Sequence, residues 1–171
     1  MKDTPTMTDR LLRGRLLTFH RAPADQNDTD AFTYHEDGAI LVREGVIAAS
    51  GTFDAVAPTA PCADIVDHRP HLMTAGFIDA HIHFPQAQIV ASWGAQLLDW
   101  LNGYVFPEEA RFGDESHAQA IATRFFDVLT EHGTTTAAAF CSVHAASADA
   151  YFAEAERRNM RMIGGKVMMD R

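Results

Sequence analysis

Two histidines one residue apart, His81 and His83, are the residues of this chain best placed to do chemistry. They close the run Gly76-Phe77-Ile78-Asp79-Ala80-His81-Ile82-His83, an apolar, β-prone stretch. Side chains two apart on a strand share a face, so the imidazoles emerge side by side, about 7 Å apart at Cα. That spacing lets both rings converge on one metal ion, each nitrogen about 2.0–2.1 Å from it if the ion is zinc. Gly76 precedes the strand as a breaker, and Pro85 ends it by removing a ladder donor. The pair therefore sits at the carboxyl end of its strand. Asp79 falls on the same face, where it can orient a ligand from behind. A bare His-x-His is more often a pair of hydrogen-bonded core or surface groups than a metal site, and the flanks are what raise it above that reading.

These residues need elements to hold them. Residues 11–19 read as an early strand with a bulge at Gly14. Residues 21–30 are polar, with Pro23 and several Asp and Asn, and read as a loop. Residues 39–42 and 46–49 are short apolar runs around Gly45, which supplies the positive φ of a hairpin turn. Pro58 to Pro61 is a breaker cluster, and residues 65–72 lead toward the histidine strand. Beyond Ala75, strand and helix alternate. Leu97, Leu98 and Leu101 have helical spacing. Residues 116–131 form an amphipathic helix with Ala118, Ile121, Ala122, Phe125, Val128 and Leu129 on one face. Asp114 or Ser116 caps it, with Gln119 three after Ser116 as in a capping box, and Gly133 ends it. Residues 134–140 read as a buried second strand. A helix over 148–158 follows, capped by Ser147 and stopped at Asn159, and residues 160–169 form a third strand. This is an α/β pattern with right-handed crossovers and a parallel sheet. It divides into a small β part over 1–73 and an α/β part over 74–171.

The residues around the histidine pair resemble the first-strand signature of the metal-dependent amidohydrolase superfamily. The stretches Phe84-Pro85-Gln86, Gly94-Ala95-Gln96-Leu97-Leu98-Asp99-Trp100-Leu101, Phe106-Pro107-Glu108-Glu109-Ala110-Arg111-Phe112, Gly133-Thr134-Thr135-Thr136 and Gly165-Lys166-Val167-Met168-Met169-Asp170 are similar to the guanine deaminases within it. The one visible departure is Ala75, where the family usually has proline before the glycine. The resemblance implies the start of a (β/α)8 TIM barrel, about three strands, preceded by part of a small β-sandwich domain. It implies His81 and His83 as metal ligands, Zn2+ as the ion with Fe2+ as the alternative, and Gln86 as a residue that reads the base. Taken without the resemblance, Gln86 is an ordinary solvated loop glutamine whose amide offers two donors and an acceptor. Phe84 and Pro85 then form the backbone rim of the pocket, although Phe84 reads equally well as packing. The remaining ligands, on strands five, six and eight, and the proton-carrying carboxylates have no counterpart up to Arg171. The implied reaction is hydrolytic deamination of guanine to xanthine and ammonia by metal-activated water. Another aminopurine, a pyrimidine or a triazine as substrate is the alternative, and a catalytically inactive piece is a third reading. A whole eightfold barrel needs about 250 residues, so the expectation is an N-terminal portion of a larger enzyme that forms a homodimer when complete.

Composition fits this reading. The 171 residues are 47% hydrophobic and 22% charged, with 14 Lys and Arg against 23 Asp and Glu, a net charge of −9. That balance argues against nucleic acid and against anionic membrane surfaces, and it suits a small neutral substrate. No apolar run reaches the length of a membrane span, and the charged first fifteen residues lack a signal-peptide core. Cys62 and Cys141 are far apart and read as free thiols of a cytoplasmic protein.

Other candidates are weaker. His144, just past the second strand, can reach substrate or back a ligand, but a loop histidine is the simpler reading. Lys166 inside the third strand reads as structural, and Trp93 and Trp100 read as core. His20, His35, His68, His71, His117 and His132 show no ligand spacing. The zinc motif of the unrelated nucleobase deaminases is missing, because Pro61-Cys62 is not followed by a second cysteine. No phosphate-binding glycine loop or nucleophile elbow occurs.

Overall fold

The computed structural model describes residues 9–94 and 96–169. The charged extreme N-terminus, Ala95 of the Gly94 motif and Asp170 of the Gly165 motif lie outside the described residues. The chain divides into two compact units, Met1–Ala75 and Gly76–Arg171.

The first unit is a four-stranded sheet. Strands β1 (Arg10–Phe19), β2 (Phe32–Arg43), β3 (Val46–Thr52) and β4 (Asp64–Met73) lie in the order β3-β2-β1-β4. β1 runs antiparallel to β2 and parallel to β4. The β1–β2 register slips between Gly14 and Leu16, but the extra residue falls in β2, between His35 and Gly38, so the bulge expected at Gly14 lies on the partner strand instead. The β2–β3 turn places both Glu44 (φ 50°) and Gly45 (φ 78°) in the left-handed region, the geometry whose twist matches a two-residue hairpin. β2 begins at Phe32, earlier than the apolar run alone implied, because Phe32 pairs with Phe19 at the end of β1. A short helix α1 (Phe53–Val56) packs Val56 against Leu11, Ala39 and Leu41; four residues carry no periodicity from which to foresee it.

The second unit has a three-stranded parallel sheet. β5 (Phe77–His83), β6 (Thr134–Phe140) and β7 (Arg161–Gly165) lie in the order β5-β6-β7. Between β5 and β6 the chain forms a 3-10 turn over Phe84–Ile89, the helices α2 (Leu97–Trp100) and α3 (Phe106–Ala110) joined by a π-turn, and α4 (Glu115–Glu131). Helix α5 (Ala145–Arg157) links β6 to β7. The core is aromatic: Phe84, Phe112, Phe126 and Tyr151 are fully buried, with Phe125 beside them.

Asp114 caps α4 by accepting the His117 N–H at 2.9 Å; Ser116 instead donates to Asp114 at 2.6 Å, so no Ser116 capping box forms. Gly133 (φ 78°) ends the helix as expected. The buried face of α4 is turned relative to the expected one. Phe126 is buried and Val128 is 38% exposed, because Tyr151 of α5 packs on the Phe126 side with rings 5.4 Å apart. Ser147 is not the cap of α5. It lies inside the helix, buried, and its Oγ accepts the Ser142 N–H at 3.0 Å, tying the end of β6 to the helix. Asn159 (φ 53°) marks the stop. β6 is buried only at Ala137 and Ala139. β7 ends at Gly165, so Lys166 lies outside the strand and exposed, rather than within it.

Candidate functional site

The carboxyl ends of the three parallel strands finish in one row: His83 pairs with Phe140, and Phe140 with Gly165. Such a row is where parallel α/β sheets bind ligands. β5 begins tightly against its neighbour. A Cβ on Gly76 would fall 2.2 Å from Thr135 Oγ1 and 2.8 Å from its Cβ, so this approach requires glycine.

The histidine strand is not regular. Asp79 pairs with Ala137 but Ile82 pairs with Ala139, so β5 holds one extra residue within the Ala80–His81 step. Bulges of this kind re-aim side chains beside functional sites. Asp79 serves the bulge: its Oδ1 accepts the His81 backbone N–H at 3.0 Å. The aspartate thus holds the main chain of His81. A bulge turns the local backbone, which the strict alternation of a flat strand leaves out.

The two imidazoles are nonetheless neighbours, with ring centroids 5.2 Å apart. Phe140 touches both, 5.0 Å from His83 in a stacked arrangement and 5.4 Å from His81 edge-on. His83 is half-buried, and burial first and the neighbouring His81 second push its pKa below the usual histidine value, while Glu109 pulls the other way. A neutral imidazole keeps the lone pair that a metal needs.

Gln86 stands beside this pair. Its Nε2 lies 3.2 Å from His83 Nδ1 and 3.1 Å from Glu109 Oε1. A second tie holds the same turn, as Arg111 donates to Gln88 Oε1 at 3.2 Å and to the buried Glu108 at 2.7 Å. Helix α3 and the residue after it thereby grip the turn at two points. An open recess of about 720 Å³ is lined by residues that include His81, His83, Gln86, Trp100, Phe125 and Leu129. A second, of about 490 Å³, is also lined by His81, together with Phe140, Gly165 and Lys166.

Residues 72–171 match the amidohydrolase family model. The chain belongs to the amidohydrolase family. It is similar to guanine deaminase from Escherichia coli (strain K12), with 39% identity over 166 residues that make up 96% of this chain and 38% of the relative. The crystal structure of guanine deaminase from Bradyrhizobium japonicum superimposes with a TM-score of 0.89 at 37% identity, covering 96% of this chain and 36% of that one. Guanine deaminase from C. acetobutylicum, solved with guanine bound in its active site, gives 0.76 at 30% identity over 95% of this chain and 37% of that one. The chain thus spans a little over a third of the length of these relatives. The structures share its mixed α/β architecture.

Amidohydrolases are metal-dependent, and two adjacent imidazoles, one biased to its neutral form, are chemically able to supply part of such a centre. Among the described residues no group of three or more His, Cys, Asp or Glu side chains converges to hold an ion.

The other candidates fall elsewhere. The Phe84 and Pro85 side chains are buried, Phe84 against Phe112, Phe125 and Tyr151; what they offer a pocket is backbone. His144 precedes α5 with its ring beside Gly113, and among the described residues no hydrogen bond or ring contact joins it to His81 or His83. Trp93 is 78% exposed rather than core, and Trp100 is held by its N–H to Ser92 Oγ at 2.9 Å. Cys62 is exposed and Cys141 buried, both free, and burial pushes the Cys141 thiol up to about 11. No helix among the described residues is long and apolar enough to cross a membrane. Sequence reading missed Phe140 and Glu109, although Glu109 lies within the Phe106–Phe112 stretch that carries the resemblance.

Proposed function

We propose that this chain carries the first metal ligands and the base-reading residue of an enzyme that hydrolyses guanine to xanthine and ammonia. The observation that carries this reading is the placement of Gln86 against His83, with His81 alongside, at the carboxyl end of β5. The similarity to guanine deaminases over nearly the whole chain supports it. On this reading β5, β6 and β7 with their helices are the first units of a (β/α)8 barrel, and the β3-β2-β1-β4 sheet is part of a small β-sandwich domain.

His81 and His83 hold the ion, Zn2+ with Fe2+ as the alternative. When bound, it supplies water acidified toward neutral pH, the nucleophile for the amino-bearing carbon of the base. Asp79 keeps the His81 backbone in its bulged conformation. Phe140 walls one side of both rings and restricts solvent there. Gln86 hydrogen-bonds the base and fixes which carbon faces the nucleophile. The other ligands and the carboxylate that moves the proton come from parts of the relatives' length that this chain does not span.

The test is ammonia and xanthine formation from guanine by the full-length gene product, with adenine, cytosine and a chlorinated triazine in parallel. Guanine should be turned over, activity should vanish on chelator dialysis, and Zn2+ or Fe2+ should restore it. Guanine inert beside an active rival substrate overturns the reading.

A further inference from the structure

Gln86 is offered two neighbours, and their chemistry settles which way its carboxamide points. A carboxylate only accepts hydrogen bonds. The Gln86 atom 3.1 Å from Glu109 Oε1 is therefore the NH2 group, and its remaining N–H faces His83 Nδ1 at 3.2 Å. A ring nitrogen that meets an N–H is an acceptor. Of the two neighbours Glu109 is the charged one, and its carboxylate fixes the amide orientation. It is well placed for this, since α3 is itself anchored to the same turn through Arg111, Gln88 and Glu108.

We propose that Glu109 is the positioning residue for substrate selection: by binding the Gln86 NH2 group it leaves the carbonyl Oε1 as the atom presented to the base. The proposal rests on the reading of the site as a purine deaminase. An acceptor at that point favours a heterocycle edge with ring N–H and amino donors, as guanine has at N1 and its 2-amino group. It disfavours an edge with a bare ring nitrogen, as adenine has at N1.

The experiment is a double-mutant cycle in the metal-loaded full-length gene product: Glu109→Gln, Gln86→Ala and the double variant, with Glu109→Asp as the conservative control. Metal content and thermal midpoint are measured on each. Glu109→Gln, whose amide accepts Gln86 in either orientation, should raise KM for guanine about tenfold, the scale of one charge-assisted hydrogen bond. Metal content and kcat should stay near wild type, and Glu109→Asp should recover part of the loss. The double variant should be no worse than Gln86→Ala, because the two residues act as one unit. Additive losses, or an unchanged KM in Glu109→Gln, overturn the proposal. If guanine is inert and another heterocycle is turned over, the purine reading fails, and the same cycle on that substrate decides the role of Glu109. If no heterocycle is turned over, crystal structures of the wild type and Glu109→Ala decide it. A carboxamide that stays in place without the carboxylate overturns the proposal, and one that swings away sustains it.

Discussion

At the scale of single residues, the chemistry depends on what touches the histidines. Phe140 packs on both rings, and an apolar wall around a metal site limits the motion of ligands and the entry of water. Phe140→Ala should weaken metal binding by about tenfold, at the lower end of effects seen for residues that support ligands. His81→Ala should abolish both metal binding and turnover. Metal content by atomic absorption checks both, and wild-type loading in His81→Ala would remove it from the ligand set. The adjacency of His81 and His83 was legible because their spacing alone has chemical meaning, whereas Gln86 stood out only through the family resemblance. Phe140 was not, because its contact depends on the register of a strand far along the chain, in which His83 pairs with Phe140. The hold of Asp79 on the His81 backbone was not legible either, since it goes with a bulge in β5.

At the scale of elements, α4 and α5 are joined by an ion cluster that sequence periodicity does not reveal. Glu154 of α5 is buried and accepts from Arg157 at 2.5 Å and Arg158 at 2.6 Å; Arg158 continues to Asp127 of α4 at 2.6 Å. The Arg157 guanidinium first, with Arg158 behind it, holds the Glu154 carboxyl down at about 2. The folded state thus binds its proton less readily than the unfolded chain, where a glutamate titrates near 4.3. The stability this contributes is complete above the unfolded value and is lost as pH falls from there through about 2. Glu154→Gln should cost about 1–2 kcal/mol at pH 7, the charge-assisted range reduced by the exposure of Arg157. Denaturant midpoints should show the gap between variant and wild type narrowing as the pH drops below about 4; a gap independent of pH would mean the loss is one of packing. Helix α4 was readable from the 3.6-residue spacing of its apolar residues, and α5 from its stop at Asn159. The rotation of α4 that buries Phe126 was not, because Tyr151 on a different helix selects that face.

At the scale of the whole molecule, the second unit leaves large apolar side chains in water. Ile78 is 74% exposed, Leu97 68%, Leu98 70% and Ile163 60%. Among the described residues, β5 and β7 each pair with β6 alone. Uncovered strand edges and apolar patches drive association. The 171-residue polypeptide prepared alone should therefore self-associate or stay partly unfolded, measured by light scattering on a sizing column and by thermal unfolding. A sharp, cooperative transition of a monomer would contradict this.

Within this chain, short-range rules sufficed for the strands and for the long helices α4 and α5, for the hairpin turn at Gly45, the stop at Gly133 and the histidine pair at a strand's end. Each depends on residues a few positions apart, where backbone sterics, capping and side-chain spacing act directly. The features set by packing are of another kind. The Phe140 wall and the Glu109 hold on Gln86 come from partners brought together by sheet register and helix packing. Those partners lie far apart along the chain, and no local pattern encodes the contact that folding makes between them.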